Sequence, residues 1–200
     1  VHPTRDRIEL SQEHYVEQLL RDFRMEDCHP TLTPLPPGHR DGATITTGDH
    51  RNPPVPFRAL LGSLLYLSTK TRPDIACAVS MLSRHMQNYT EEHFRDAKKI
   101  LRYLKKTKHY RLVFSGSAAS SLVGYTDASF ASDLEKRRSR TGFVLKMSGG
   151  PVSWRSKLQT VTADCTAYAE LIAIHDASKA IMHIRILLTQ LLDTPLTIPT

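Results

Sequence analysis

"SLVGYTDASFASDLEKRRSRTGFVLKMSGGPVSWRS", residues 121–156, reads as three β-strands in succession. "SLVGYTD" and "TGFVLKM" are rich in β-branched and aromatic residues, and Gly149-Gly150 turns the second into "PVSWRS". "YRLVF", from Tyr110, has the same character and adds a possible fourth strand. A long helical segment follows, roughly Cys165 to Leu192, with Leu171, Ile174, Ile181, Ile184, Leu187 and Leu188 as its apolar side. At the end of the first strand stands Asp127, followed by the small residues Ala128 and Ser129. A carboxylate there is a turn residue or one arm of a metal site.

Upstream the hydrophobic period is helical. Ser11 suits an N-cap, and Tyr15, Val16, Leu19, Leu20 and Phe23 recur at helical spacing after it. Residues 29–56 hold seven of the twelve prolines together with Gly38, Gly42 and Gly48, the composition of an irregular linker. Leu60, Leu61, Leu64, Leu65 and Tyr66 then form one apolar helix face. Pro73 suits the first turn of a second helix with Ile75, Val79 and Leu82. Thr90 caps a third, whose stripe is Phe94, Ala97, Ile100, Leu101 and Leu104. Helices first, then strands and a helix, give an α+β chain with a boundary near residue 108. The expected parts are a helix in 1–28, the Pro-rich linker 29–56, a helical region 57–108, and a sheet packed on a long helix in 109–200.

The net charge of +7 fits a polyanionic partner or a merely basic protein. The third helix carries Lys98, Lys99, Arg102, Lys105 and Lys106 on one face, close to Tyr103 and Tyr110. Such a run is a solvated face or a nucleic-acid footprint, and Arg137 and Arg138 add to it further on. Cys28, Cys77 and Cys165 stand far apart without a Cys-x-x-Cys, which argues against a disulfide scaffold or a zinc site. The longest apolar run, Ala59 to Leu67, is too short to span a bilayer, so no membrane partner is expected. The sequence opens at Val1, which leads us to expect a preceding segment, either more of a polyprotein or a removed signal peptide.

A strand with Asp127, two more strands, then a helix with Glu170 is the opening order of a ribonuclease-H-like unit. Two-metal phosphodiester cleavage needs several carboxylates converging on two Mg²⁺ ions about 4 Å apart, and hard Mg²⁺ prefers oxygen ligands. The words around the two carboxylates are more specific. "YTDASFASDLEKRRSRTGFVLKMSGGPVSWRSK" and "CTAYAELIAI" resemble the ribonuclease H region of Ty1/copia-type retrotransposon Pol polyproteins. "IELSQEHYVEQLLRDFRMEDCHPTLTPL", "FRALLGSLLYLSTKTRPDIACAVSMLSR" and "NYTEEHFRDAKKILRYLKKTKHYRLVF" are similar to the segments after the polymerase palm and to the connection that follows.

The resemblance implies that Asp127 and Glu170 occupy catalytic, metal-ligating positions. It places Arg137, Arg138, Ser139, Thr141 and Gly142 on the substrate side and makes Trp154 the core tryptophan. Tyr168 stands where the family usually has a second glutamate, and Asp133 is the carboxylate retained beside Ser132. The family's polymerase aspartates and its third and fourth ribonuclease H aspartates do not occur in this sequence. The expectation is therefore a non-enzymatic chain that would hold Mg²⁺ only if its site were completed. It would act by binding an RNA/DNA hybrid, another nucleic acid or a host protein, through Lys98, Lys99, Arg102, Lys105, Lys106, Arg137 and Arg138 where the partner is nucleic acid. Two alternatives go with the resemblance. One is a secreted RxLR-type effector that suppresses plant cell death after entering the host cell. The other is an intracellular RNA-DNA hybrid ribonuclease working as part of a larger polyprotein.

Overall fold

The computed structural model describes residues 2–4, 6–36, 39, 54–116, 118 and 121–192. Two compact units share the chain. The first comprises Glu9–Leu112 with Asp133–Lys136, and the second comprises His2–Ile8, Val113–Ser132 and the chain from Arg137 onward.

The first unit is helical: α1 (Glu13–Asp22), α2 (Phe57–Lys70), a 3-10 turn (Pro73–Ile75), α3 (Ala76–Ser83) and α4 (Glu91–Lys106). Ser11, expected as the N-cap of α1, stands one residue ahead of it: Gln12 holds the cap position without a side-chain cap bond, and the Ser11 hydroxyl accepts a 3.2 Å hydrogen bond from the Glu13 amide. Thr90 caps α4 reciprocally: its Oγ1 accepts from the His93 amide at 3.4 Å, and His93 Nδ1 accepts from the Thr90 amide at 3.0 Å. Glu91 and Glu92 in the first turn and Lys105 and Lys106 in the last complement the helix dipole. The apolar stripes then close on one another. Leu60, Leu61, Leu64, Leu67, Ile75, Ile100, Leu101 and Leu104 are completely buried, so truncating any of them to alanine is expected to cost about 2–5 kcal/mol.

A buried cation holds the C-terminal end of α4. Arg72 Nε and Nη2 donate to the Asp74 carboxylate, Nη1 donates to the Thr107 carbonyl at 3.1 Å, and Nη2 also reaches the Thr107 hydroxyl. Tyr103 donates its hydroxyl to the same Asp74 carboxylate at 2.8 Å. Burial first, and that hydrogen bond second, push the Tyr103 phenol up to about 12.

The second unit contains the antiparallel meander β4 (Val123–Ser129), β5 (Arg140–Met147) and β6 (Gly150–Leu158), followed by α5 (Thr166–Leu192). Register places Val123 opposite Lys146, Tyr125 opposite Val144, and Asp127 opposite Gly142. Val144 in turn faces Trp154. The inner face carries Gly124, Ala128, Phe143 and Leu145 toward α5. A Cβ on Gly124 would stand 3.1 Å from Ile181 Cδ1, which shows how closely the helix approaches. The expected α+β order therefore holds, with α5 on the sheet.

Two expectations are corrected. The first ten residues, expected ahead of a helix as part of an all-helical stretch, contain β1 (His2–Thr4) and β2 (Arg7–Leu10). These pair in the order β1-β2-β3 with β3 (Leu112–Ser115), so "YRLVF" joins a separate sheet and not the one that carries Asp127. The apolar side read for α5 is only half right. Ile181 and Ile184 pack inward, but the helix meets the sheet mainly through Ala169, Ala173 and Ala177, while Leu171, Ile174 and Leu187 are 61%, 49% and 43% exposed. Small side chains permit the close approach, and the larger ones are left on the other faces. Of the linker expected over 29–56, residues 37–38 and 40–53 lie outside the described residues. Its described beginning has no regular structure and is tied to the helical unit: the Thr31 amide donates to the Arg102 carbonyl, and Leu35 packs against the helical core.

Candidate carboxylate site and cationic surfaces

Asp127 lies on the exposed outer face of β4, in the pleat series Val123, Tyr125, Asp127, Ser129. Its neighbour Ala128 points inward and packs in one cluster with Ala169 and Ala173 of α5. Glu170, half-buried and the fifth residue of α5, is the residue after Ala169. Asp127 and Glu170 are thus each one residue from the same alanine contact. Gln159, 1% exposed, fixes that corner. Its Nε2 donates to Thr141 Oγ1 at 3.1 Å and to the Ala169 carbonyl at 2.9 Å, and its amide donates to the Ser139 carbonyl. The sequence reading passed over Gln159. A lone amide at the end of an otherwise strand-like run was the signal available.

Of the other carboxylates near these positions in sequence, Asp164 is exposed, and Asp133 and Asp176 are occupied. Asp133 is completely buried and accepts from Arg84 Nη1 at 3.0 Å and from the Lys136 amide at 3.1 Å. Asp176 pairs with Lys157 at 3.1 Å. Among the described residues, no group of three or more His, Cys, Asp or Glu side chains is arranged to hold a metal ion. Asp127 and Glu170 can offer oxygen to Mg²⁺ by donor type, but two carboxylates fall short of the set that fixes two ions in line with a phosphate. Of the side chains read as the substrate side, Ser139 and Thr141 are bonded within the frame, whereas Arg137 and Arg138 stand in the turn between β4 and β5. Ser139 is buried and its Oγ accepts from the Ala131 amide, and Thr141 receives Gln159. Trp154, taken from the resemblance as a core residue, is half-buried on β6 and belongs to neither apolar cluster of its unit.

The cations divide into two groups. On α4 nearly all are engaged. Lys98 lies 4.6 Å from the centroid of the Phe94 ring, and Lys99 pairs with Asp96 at 2.8 Å. Arg102 donates to the His29 carbonyl and Lys105 to the Cys28 carbonyl, which fastens the chain after α1 to this helix. Lys106 is exposed. Beyond the helix, Lys108 pairs with Glu17, which raises the lysine pKa and lowers that of the carboxyl, mainly through their hydrogen bond. The turn between β4 and β5 differs. Lys136 and Arg137 are exposed there and Arg138 half-buried, and their side chains form no ion pair among the described residues. Arg137 sits at φ 53° and Ala131 at φ 46°, a left-handed conformation that L-residues hold only when neighbouring bonds impose it.

No family model and no solved structure matches this chain. Curated relatives do. Over 187 residues, 91% of the chain, it is 41% identical to the retrovirus-related Pol polyprotein from transposon TNT 1-94 of Nicotiana tabacum. It is 34% identical over 184 residues, 92% of the chain, to the corresponding polyprotein from transposon RE1 of Arabidopsis thaliana. The chain belongs to the copia-type retrotransposon Pol family. It spans 14% of the first of these polyproteins and 12% of the second. A shorter relative, secreted RxLR effector protein 161 of Plasmopara viticola, is 41% identical over 125 residues, which are 62% of this chain and 88% of that protein. This copia-type sequence is therefore similar both to long polyproteins and to a small protein built almost wholly from the matching stretch.

Proposed function

We propose that this copia-type chain contacts the phosphate backbone of nucleic acid and does not by itself cleave it. The observation that carries the binding half is the β4–β5 turn, which presents Lys136, Arg137 and Arg138 consecutively with no ion pair to their side chains among the described residues. Phosphates are the natural partner of cations so presented in a chain of net charge +7. The non-catalytic half is supported by the carboxylates. Tyr168 replaces the second glutamate of the family pattern, and two of the carboxylates nearby in sequence, Asp133 and Asp176, are ion-paired elsewhere. Function in this reading is intracellular, beside or within a retroelement polyprotein. Three neutralised phosphates give a slope of about −2.7 in log affinity against log salt, hence a loss of roughly 40-fold between 50 and 200 mM. Binding of an RNA/DNA hybrid measured across that range tests this. The triple change of Lys136, Arg137 and Arg138 to glutamine should flatten the slope, and a wild-type affinity indifferent to salt would remove phosphate contact as the mechanism.

A second reading rests on the oomycete relative, of which this chain covers 88%. In that reading the protein is secreted and acts on a host protein to suppress plant cell death. Expression in leaf tissue challenged with a cell-death elicitor tests it. Suppression that survives the triple glutamine change would favour the protein partner over nucleic acid.

A further inference from the structure

The outer face of the β4–β5–β6 sheet has a cleft of about 230 Å³, lined among others by Ser121, Val123, Tyr125, Lys146 and Met147. We propose that this cleft is a stacking site for one base of single-stranded nucleic acid, with Tyr125 as the platform and Lys146 as the contact to the neighbouring phosphate. The proposal rests on the nucleic-acid reading above and assigns it a second, chemically different contact.

The sheet's geometry supplies each part. Helix α5 covers the inner face, leaving Val123, Tyr125 and Asp127 on the outer one. Tyr125 is 60% exposed and Val123 43%. An aromatic ring standing on an antiparallel sheet offers a π-face to any base, and stacking of this kind is tolerant of sequence. Lys146 pairs with Val123, one side-chain step along the same face from Tyr125. Its ammonium can thus meet a phosphate while the base lies on the ring. Asp127, the acid on this face, is four residues along β4 from that rung, about 13 Å at the usual strand rise. Its charge is largely screened there at physiological salt, where the Debye length is about 8 Å.

Size and charge select the occupant. A cleft of about 230 Å³ is smaller than the roughly 300–1,000 Å³ of pockets that enclose whole small molecules. It suits one base with an adjoining phosphate. The positive end and the net charge of +7 favour an anionic polymer over an apolar protein segment. A duplex keeps its bases stacked inside, so the ligand is single-stranded DNA or RNA.

The test is fluorescence anisotropy with a labelled twelve-residue oligothymidylate at 50 mM salt, using the full chain. Tyr125→Ala should weaken binding about 10-fold, and Tyr125→Phe should keep wild-type affinity, because the ring and not the hydroxyl stacks. Lys146→Gln should reduce the salt slope by about one. A blunt duplex of the same length should not respond to Tyr125→Ala. Wild-type affinity and salt slope retained in Tyr125→Ala would overturn the stacking site while leaving phosphate contact intact. Failure of the wild type to bind any oligomer would overturn both. A change of oligomeric state in Tyr125→Ala on size-exclusion chromatography would instead make this face a contact between copies, and would also overturn the proposal.

Discussion

Replacing Asp133 by alanine removes the carboxylate that receives Arg84 and the Lys136 amide. The magnitude follows from burial. Deleting one partner of a fully buried ion pair costs about 3–5 kcal/mol, mostly because the other charge is stranded. Arg84 is 24% exposed against 0% for Asp133, so its guanidinium keeps part of its hydration and the lower end of that range applies. The Lys136 amide loses a charged acceptor as well, worth about 1 kcal/mol when water can replace part of it. A loss of about 3–4 kcal/mol is expected. Asp133→Asn keeps an acceptor oxygen but no charge and should lose roughly half of that. Urea unfolding followed by circular dichroism at 222 nm reads both, with stability taken from the midpoint and slope. The reasoning fails if Asp133→Ala costs less than about 1 kcal/mol. It also fails if Mg²⁺ stabilises the wild type but not Asp133→Asn, since Asp133 would then be a metal ligand and not an anchor.

Three further outcomes are expected. The Tyr103 phenol, pushed up to about 12 from an ordinary 10, stabilises the fold fully below pH 10 and ceases to do so as pH rises through 12. Absorbance at 295 nm should show a late phenolate step in that window that is missing in Tyr103→Phe. On α5, Ala173→Leu should cost about 1–3 kcal/mol by overpacking the sheet contact, while Leu171→Lys, on an open face, should stay within about 0.5 kcal/mol. The reverse ranking in thermal melts would show the helix seated on its other side. A Cβ on Gly150 would meet the Val113 carbonyl oxygen at 2.5 Å and the Phe114 ring at 2.6 Å, so Gly150→Ala should destabilise by about 1–3 kcal/mol in urea unfolding. An unchanged midpoint would mean that this strand approach is looser than described.

Much of the fold was legible because its elements are long and periodic. The switch of period after residue 110 marked β4, β5, β6 and α5 to within a few residues. Thr90 was readable as a cap because a hydroxyl before an acidic turn offers its oxygen to free helix amides. What escaped was short or non-local. Arg7–Leu10 is a four-residue strand, too brief for alternation to stand out. The seam of α5 was misjudged because amphipathic reading weights large apolar residues, whereas a helix lying close to a sheet selects alanine. For the candidate site, the two carboxylate positions came from resemblance. The Arg84–Asp133 pair joins residues 49 apart in sequence, and no local pattern signals it. Likewise the basic face of α4 reads as free in sequence because its partners at residues 28 and 29 are main-chain carbonyls, which leave no mark on residue type.

The central claim is that this chain binds nucleic acid without cutting it. The measurement that bears on it most directly is cleavage of a labelled RNA·DNA hybrid with Mg²⁺ or Mn²⁺, run on the wild type beside Asp127→Asn at a protein concentration that saturates hybrid binding. The account predicts bound but intact hybrid with both proteins, because among the described residues no group of three or more metal-binding side chains is arranged to fix an ion beside Asp127 and Glu170. Robust cleavage by the wild type, abolished in Asp127→Asn, would contradict it and make Asp127 part of a working metal site.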